Sequence, residues 1–150
     1  MKHDIVQKAL DYFSSGYTCS EAVLKSVAEA KGIDSNTVLP IASAFGSGMA
    51  RTNGGFCGAF SGGVMALSLL QGRQVPDVPL DRLYRSVADF KERFETLFES
   101  CECATLLGFS LSDEHAGEIF KAQNCKVCKC DRFVAFAAEE VERILTRKEP

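Results

Sequence analysis

The sequence predicts an all-α fold: a single-domain bundle of about seven helices built around a glycine-rich central helix. Three observations point there. Apolar residues recur three and four positions apart in one stretch after another, the period of an amphipathic helix. Helix-starting residues precede several of these stretches. No alternating apolar–polar run of useful length, the mark of a half-buried strand, occurs in the 150 residues.

The central helix belongs to Thr52–Leu70, which carries no charge and is apolar at nearly every position from Val64. Gly54, Gly58 and Gly62 recur at every fourth residue, and Gly55, Ala59, Gly63 and Ala66 form a second small-residue row. Residues four apart share a helix face, so these rows invite another backbone to approach closely. Each glycine costs a helix interior about 1 kcal/mol relative to alanine, which close packing must offset. Cys57 is expected in the first turn, with Thr52 or Asn53 as cap.

In chain order, Ile5, Val6, Ala9, Leu10 and Phe13 make the apolar stripe of a first helix over about Asp4–Ser14, ended by Gly16. Thr18-Cys19-Ser20-Glu21 fits a capping box, with Thr18 as cap and Cys19 as first helical residue. Ala22, Val23, Ser26, Val27 and Ala30 continue its inner face to Gly32. A third helix follows Thr37, with Pro40 in its first turn and Ile41, Ala42 and Phe45 inward. Gly46–Arg51 is read as a tight connection; without a following Gly-Lys-Ser/Thr it has no phosphate-binding signature. After a polar turn over Arg73–Pro79, Leu83, Val87, Phe90, Phe94 and Leu97 form the core stripe of a long helix from Asp81 to about Ser100. A short helix spans Cys103–Leu107 with Gly108 as its stop, and Ser112 caps another through Phe120. The last helix starts near Asp131 and buries Phe133, Ala137, Val141, Ile144 and Leu145.

Composition narrows the function. A net charge of −3 with no basic stripe gives no footprint for nucleic acid. The glycine, serine and asparagine of Thr52–Gly72 favour a buried helix over a membrane span. The opening Met-Lys-His-Asp-Ile-Val-Gln-Lys lacks a signal peptide's apolar core, so the cytoplasm is the expected compartment. There, seven cysteines read first as metal, cluster or redox chemistry, since structural disulfides are rare. His3 and His115 stand apart from the cysteine runs and read as terminal and surface residues, so no Cys-His pair supports hydrolysis.

Cys19, Cys57, Cys103 and Cys130 each fall at or just before an expected helix start. Free amides and the positive end of the helix dipole favour the thiolate there, the form that binds metal. If those helices point at one spot, the four can share an iron–sulfur cluster or a zinc ion, with Lys121, Lys126, Lys129 and Arg132 adding positive charge. Cys125-x-x-Cys128 resembles both a redox dithiol and half a zinc site, and Cys101 adds a further thiol.

Gly16-Tyr17-Thr18-Cys19-Ser20-Glu21-Ala22-Val23-Leu24, Cys57-Gly58-Ala59-Phe60-Ser61-Gly62, Cys103-Ala104-Thr105-Leu106-Leu107-Gly108 and a Cys130 before a final helix together resemble the redox-active family named for its C_GCAxxG_C_C pattern. The likeness covers nearly the whole chain. It implies a small helical protein and, through a related domain beside the haem segments of split-Soret-type cytochromes, electron transfer with a cluster on Cys19, Cys57, Cys103 and Cys130. Cys101, Cys125 and Cys128 go beyond that pattern, and Cys128 competes with Cys130 for the fourth position.

Three readings follow. The first is a cytoplasmic electron-transfer protein with an iron–sulfur cluster, serving a redox partner protein. The second is thiol–disulfide exchange at Cys125 and Cys128. The third is a zinc-stabilised, non-enzymatic binding module. The small-residue rows and phenylalanines would also suit a homodimer.

Overall fold

Apolar faces of helical period need neighbours, and here they find them in one another. The computed structural model describes residues 2–148, and the side chains of residues 4–148. Its helices are α1 (Lys2–Ser14), α2 (Cys19–Ala30), α3 (Leu39–Ala42), α4 (Gly46–Arg51), α5 (Gly58–Gln71), α6 (Asp81–Phe98), α7 (Cys103–Leu107), α8 (Ala116–Ala122) and α9 (Asp131–Thr146). Among the described residues there is no strand, and an isolated bridge pairs Phe56 with Glu102. The fold is all-α. Among those residues no helix is long and apolar enough to cross a membrane. His3 lies outside the described side chains.

Helix α5 runs through the middle, against α2, α6 and α9. Its glycines account for that closeness. A Cβ on Gly62 would stand 2.6 Å from the Ser20 carbonyl oxygen of α2, and one on Gly63 would stand 2.6 Å from the Phe90 ring of α6. Phe60 of α5 stacks on Phe90 at 5.2 Å, and Phe94 meets Phe60, Phe98, Phe133 and Phe136 edge-on or tilted. Such tilted and offset rings are the favoured aromatic geometry. Asp89 of α6 joins α9 through Arg143 at 2.9 Å and Arg147 at 2.6 Å.

Several expected boundaries move. Helix α5 begins at Gly58, with Cys57 itself as N-cap, so Thr52, Asn53, Gly54 and Gly55 belong to a loop rather than to the helical rows. Ile41 is 66 % exposed because α3 is a single turn that buries Ala42 instead. Helix α6 stops at Phe98, where Glu99 turns left-handed at φ 70°. Its stripe steps by four from Phe94 to Phe98, leaving Leu97 54 % exposed. Ser112 caps no helix: its backbone joins a turn with Ser110 and Asp113, and α8 starts after the left-handed, exposed His115. The last rod is helical from Cys125, through a π-helical turn over Lys126–Cys130 that runs directly into α9.

Candidate functional site

The site begins with a local rule that the chain obeys. The Thr18 hydroxyl accepts from the Glu21 amide at 3.3 Å and the Glu21 carboxylate accepts from the Thr18 amide at 2.8 Å, a complete capping box. This makes Cys19 the first residue of α2, where its sulfur faces the backbone N–H groups of Ser47, Ser20 and Gly58 as well as its own. Gly58 is indispensable to that arrangement, since a Cβ there would lie 2.2 Å from the Cys19 sulfur. Cys57 caps α5; its amide donates to the Cys101 carbonyl at 2.7 Å and its sulfur faces the amides of Phe60 and Ala59. Cys103 opens α7, its amide donating to the Gly55 carbonyl at 3.1 Å.

Cys130 arrives differently. It lies inside the rod that starts at Cys125, at the end of the π-helical turn, so it is not at a free helix tip. A π turn shifts the register of everything after it and is frequent at functional sites. Thus Cys19, Cys57 and Cys103 stand at free helix starts, while Cys130 immediately precedes α9 but follows a π-helical turn that runs into it.

Helix α4 is the most unusual segment nearby. Ser47, Gly48, Met49, Ala50 and Arg51 all have φ between 55 and 63°, so the turn winds left-handed. Four of the five carry a Cβ, and that hand costs about 1–2 kcal/mol for each such residue. Tertiary contact holds it: a Cβ on Gly55 would fall 2.1 Å from the Gly48 carbonyl oxygen, and one on Gly48 would fall 2.7 Å from the Cys103 Cβ. The result aims the Ser47 amide at Cys19 and lays Gly48 against Cys103. The sequence reads Gly46–Arg51 as a tight connection and gives no sign that it winds left-handed.

Cys19, Cys57, Cys103 and Cys130 line one cavity of about 240 Å³. Its walls also include Phe13, Tyr17, Leu106, Leu107, Phe120 and Phe133, with Lys126 as its one charged lining residue among those described. Burial dominates the chemistry of the thiols. It pushes Cys130 up to about 12, helped by Cys19 and Cys103, and Cys103 up to about 11, helped by Cys19. Burial also raises Cys19 and raises Cys57 strongly; the amides facing those two sulfurs offset it only in part. Helix tips act in the expected direction, but exclusion from water outweighs them. Cys19 raises Cys57, Cys103 and Cys130, and Cys103 raises Cys57 and Cys130, because several negative charges cannot share so small a space.

A cationic group among them would reverse that balance, since a coordinating thiol is deprotonated. The donor set therefore fits a thiophilic, positively charged inorganic group. Among the described residues no group of three or more His, Cys, Asp or Glu side chains is placed to hold one metal ion. The four cysteines surround a space instead.

The other three thiols do not line the cavity, although Cys125 is near enough to help raise Cys130. Cys101 is buried beside Glu95, and burial followed by that carboxylate pushes it up to about 12. Cys125 is fully buried, its thiol 3.9 Å from the Gln123 side-chain oxygen, while Cys128 is exposed. All seven cysteines are unpaired. Of the four basic residues expected nearby, Lys126 lines the cavity and its ammonium lies 4.6 Å over the Phe13 ring. Lys129 donates to the Leu107 carbonyl at 2.7 Å, Arg132 lies over the Phe98 ring and Lys121 is exposed.

No curated protein and no solved structure matches the chain. A family model described as "Putative redox-active protein (C_GCAxxG_C_C)" matches residues 17–144, a span that contains the four cavity cysteines and the turns that place them. The chain belongs to the C_GCAxxG_C_C family of redox-active proteins.

Proposed function

We propose that this protein transfers electrons by means of an iron–sulfur cluster held by Cys19, Cys57, Cys103 and Cys130, and that it does so in the cytoplasm for a redox partner protein. The supporting observation is that these four cysteines, from four separate parts of the chain, line a single cavity. When bound, such a cluster gains and loses one electron at a potential set by hydrogen bonds to sulfur and by solvent exposure. The chain supplies both controls. The amides of Ser47, Ser20 and Gly58 face Cys19 and those of Ala59 and Phe60 face Cys57, stabilising negative charge on sulfur. Phe13 and Phe133 exclude water from the walls.

Burial that keeps these thiols protonated when alone means that loading must release protons, so retention should strengthen as pH rises through neutrality. Four thiols lining one cavity give the soft donor set that an iron–sulfur cluster takes.

The test is anaerobic purification followed by iron and sulfide analysis and a visible spectrum. The expected product is brown. Replacing any one of Cys19, Cys57, Cys103 or Cys130 by serine should remove most of the iron, whereas Cys101→Ser and Cys128→Ser should retain it. A colourless anaerobic protein without iron or sulfide would overturn the assignment.

A further inference from the structure

The cavity holds more than its sulfurs require. Phe13, Tyr17, Leu106, Leu107, Leu111, Phe120 and Lys126 also line it; Tyr17, Thr18 and Ser47 bring hydroxyls and, among the described residues, Lys126 brings the one charge. Phe13 and Leu107 are buried, but Tyr17, Leu106, Leu111, Phe120 and Lys126 are only half-buried. The cavity is therefore reachable past them. A largely apolar hollow with a few placed polar groups is the usual form of a small-molecule site, and here one of those groups is charged.

That charged group is an ammonium. Lys126 Nζ rests 4.6 Å over the Phe13 ring, and among the described residues no carboxylate oxygen lies within ion-pair distance of it. Asp131 feels its charge without pairing with it. Lys126 is the one charged residue among the described ones lining the cavity, on a chain of net charge −3. Such local charge beside a low-dielectric hollow concentrates ligands of the opposite sign.

We infer that this cavity seats a small carboxylate with an apolar body, its carboxylate on Lys126 and its body between Phe13, Tyr17, Leu106 and Phe120. The site goes beyond the electron-transfer reading and does not require it.

Benzoate is the probe, titrated by calorimetry into the anaerobically purified protein whose iron and sulfide have been measured in the same sample. Benzyl alcohol and benzylammonium serve as its neutral and cationic counterparts. Saturable benzoate binding is expected, with benzylammonium at least about tenfold weaker and Lys126→Gln costing about tenfold in affinity. Lys126→Arg should retain most of it. Leu106→Glu, which puts like charge in the wall, should weaken benzoate in a protein whose circular dichroism is unchanged. Absence of saturable binding, or equal affinity in Lys126→Gln, overturns the inference. Benzoate binding to iron-free protein would leave it standing while the cluster assignment fell, and an iron-loaded protein blind to benzoate would do the reverse.

Discussion

Two regions share helix α5 and use it in opposite ways. From its second turn, Gly62 and Gly63 let α2 and α6 close in, and Phe60, Phe90, Phe94, Phe98, Phe133 and Phe136 fill the space in regular helices. At its start, Cys57 and Gly58 face a hollow bounded by a left-handed turn and a π-helical turn. One region obeys the general rules of helix packing. The other breaks them twice within one cavity, and departures that cost energy persist where the surroundings over-determine them, commonly at functional sites. Phe133 connects the two: it touches Phe94 and Phe98 and also lines the hollow.

If the aromatic region carries the stability, Phe94→Ala should have the largest effect of any substitution considered. Phe94 is fully buried and contacts rings on three helices. The expected loss is about 3–5 kcal/mol in urea unfolding of the metal-free protein. A loss below about 1 kcal/mol would mean that the cluster of rings is not the mainstay of the bundle.

The sharpest separation of the two regions comes from two glycines one turn apart. Gly62→Ala drives a methyl against the Ser20 carbonyl at 2.6 Å and should cost about 1–3 kcal/mol of stability, with helices α2 and α5 forced apart. Gly58→Ala drives one against the Cys19 sulfur at 2.2 Å. It should displace the thiol and lower bound iron out of proportion to its effect on unfolding. Equal iron loss in the two variants would remove the distinction between packing and site.

These elements also show what could be read in advance. The capping box at Thr18 was legible because it is a contact between residues three apart, and α6 and α9 because a stripe of period 3.6 repeats for many turns. The convergence of cysteines was legible as a coincidence of helix starts and in the resemblance to the four-cysteine family pattern, and Cys19, Cys57 and Cys103 do stand at free helix starts. Cys130 comes to the cavity through a π-helical turn, and no residue pattern in Lys126–Cys130 announces one. Likewise the positive φ angles of Met49, Ala50 and Arg51 are imposed by Gly48 lying against Cys103 and Gly55. Long-range contact selects them, so local sequence carries no trace.

A smaller effect tests the seam that closes the aromatic region. Burial alone would raise the Asp89 carboxyl, but Arg143 and Arg147 more than reverse this and hold it below its ordinary 3.8. The folded chain thus binds the Asp89 proton less readily than the unfolded one. Its stabilising contribution is present above the unfolded value and lost as pH falls through the folded one. Asp89→Asn should cost about 1 kcal/mol at pH 7, as for a partly exposed pair, and the deficit should vanish in strong acid. A deficit unchanged with pH would assign the loss to shape rather than charge.

The smallest expected effect concerns the left-handed turn. Ala50 is exposed, with φ 57° and ψ 37°. Glycine takes that conformation freely but loses more backbone freedom on folding, so the strain relieved outweighs the entropy lost by only a margin. Ala50→Gly should therefore stabilise the metal-free protein by about 0.5–1 kcal/mol. A residue facing solvent removes no contact with the thiols, so iron content should not change. A destabilised Ala50→Gly would mean that the turn winds right-handed in solution. In that case the Ser47 amide would not reach Cys19, and the cavity would lose one of the donors that distinguish it from the aromatic half of the bundle.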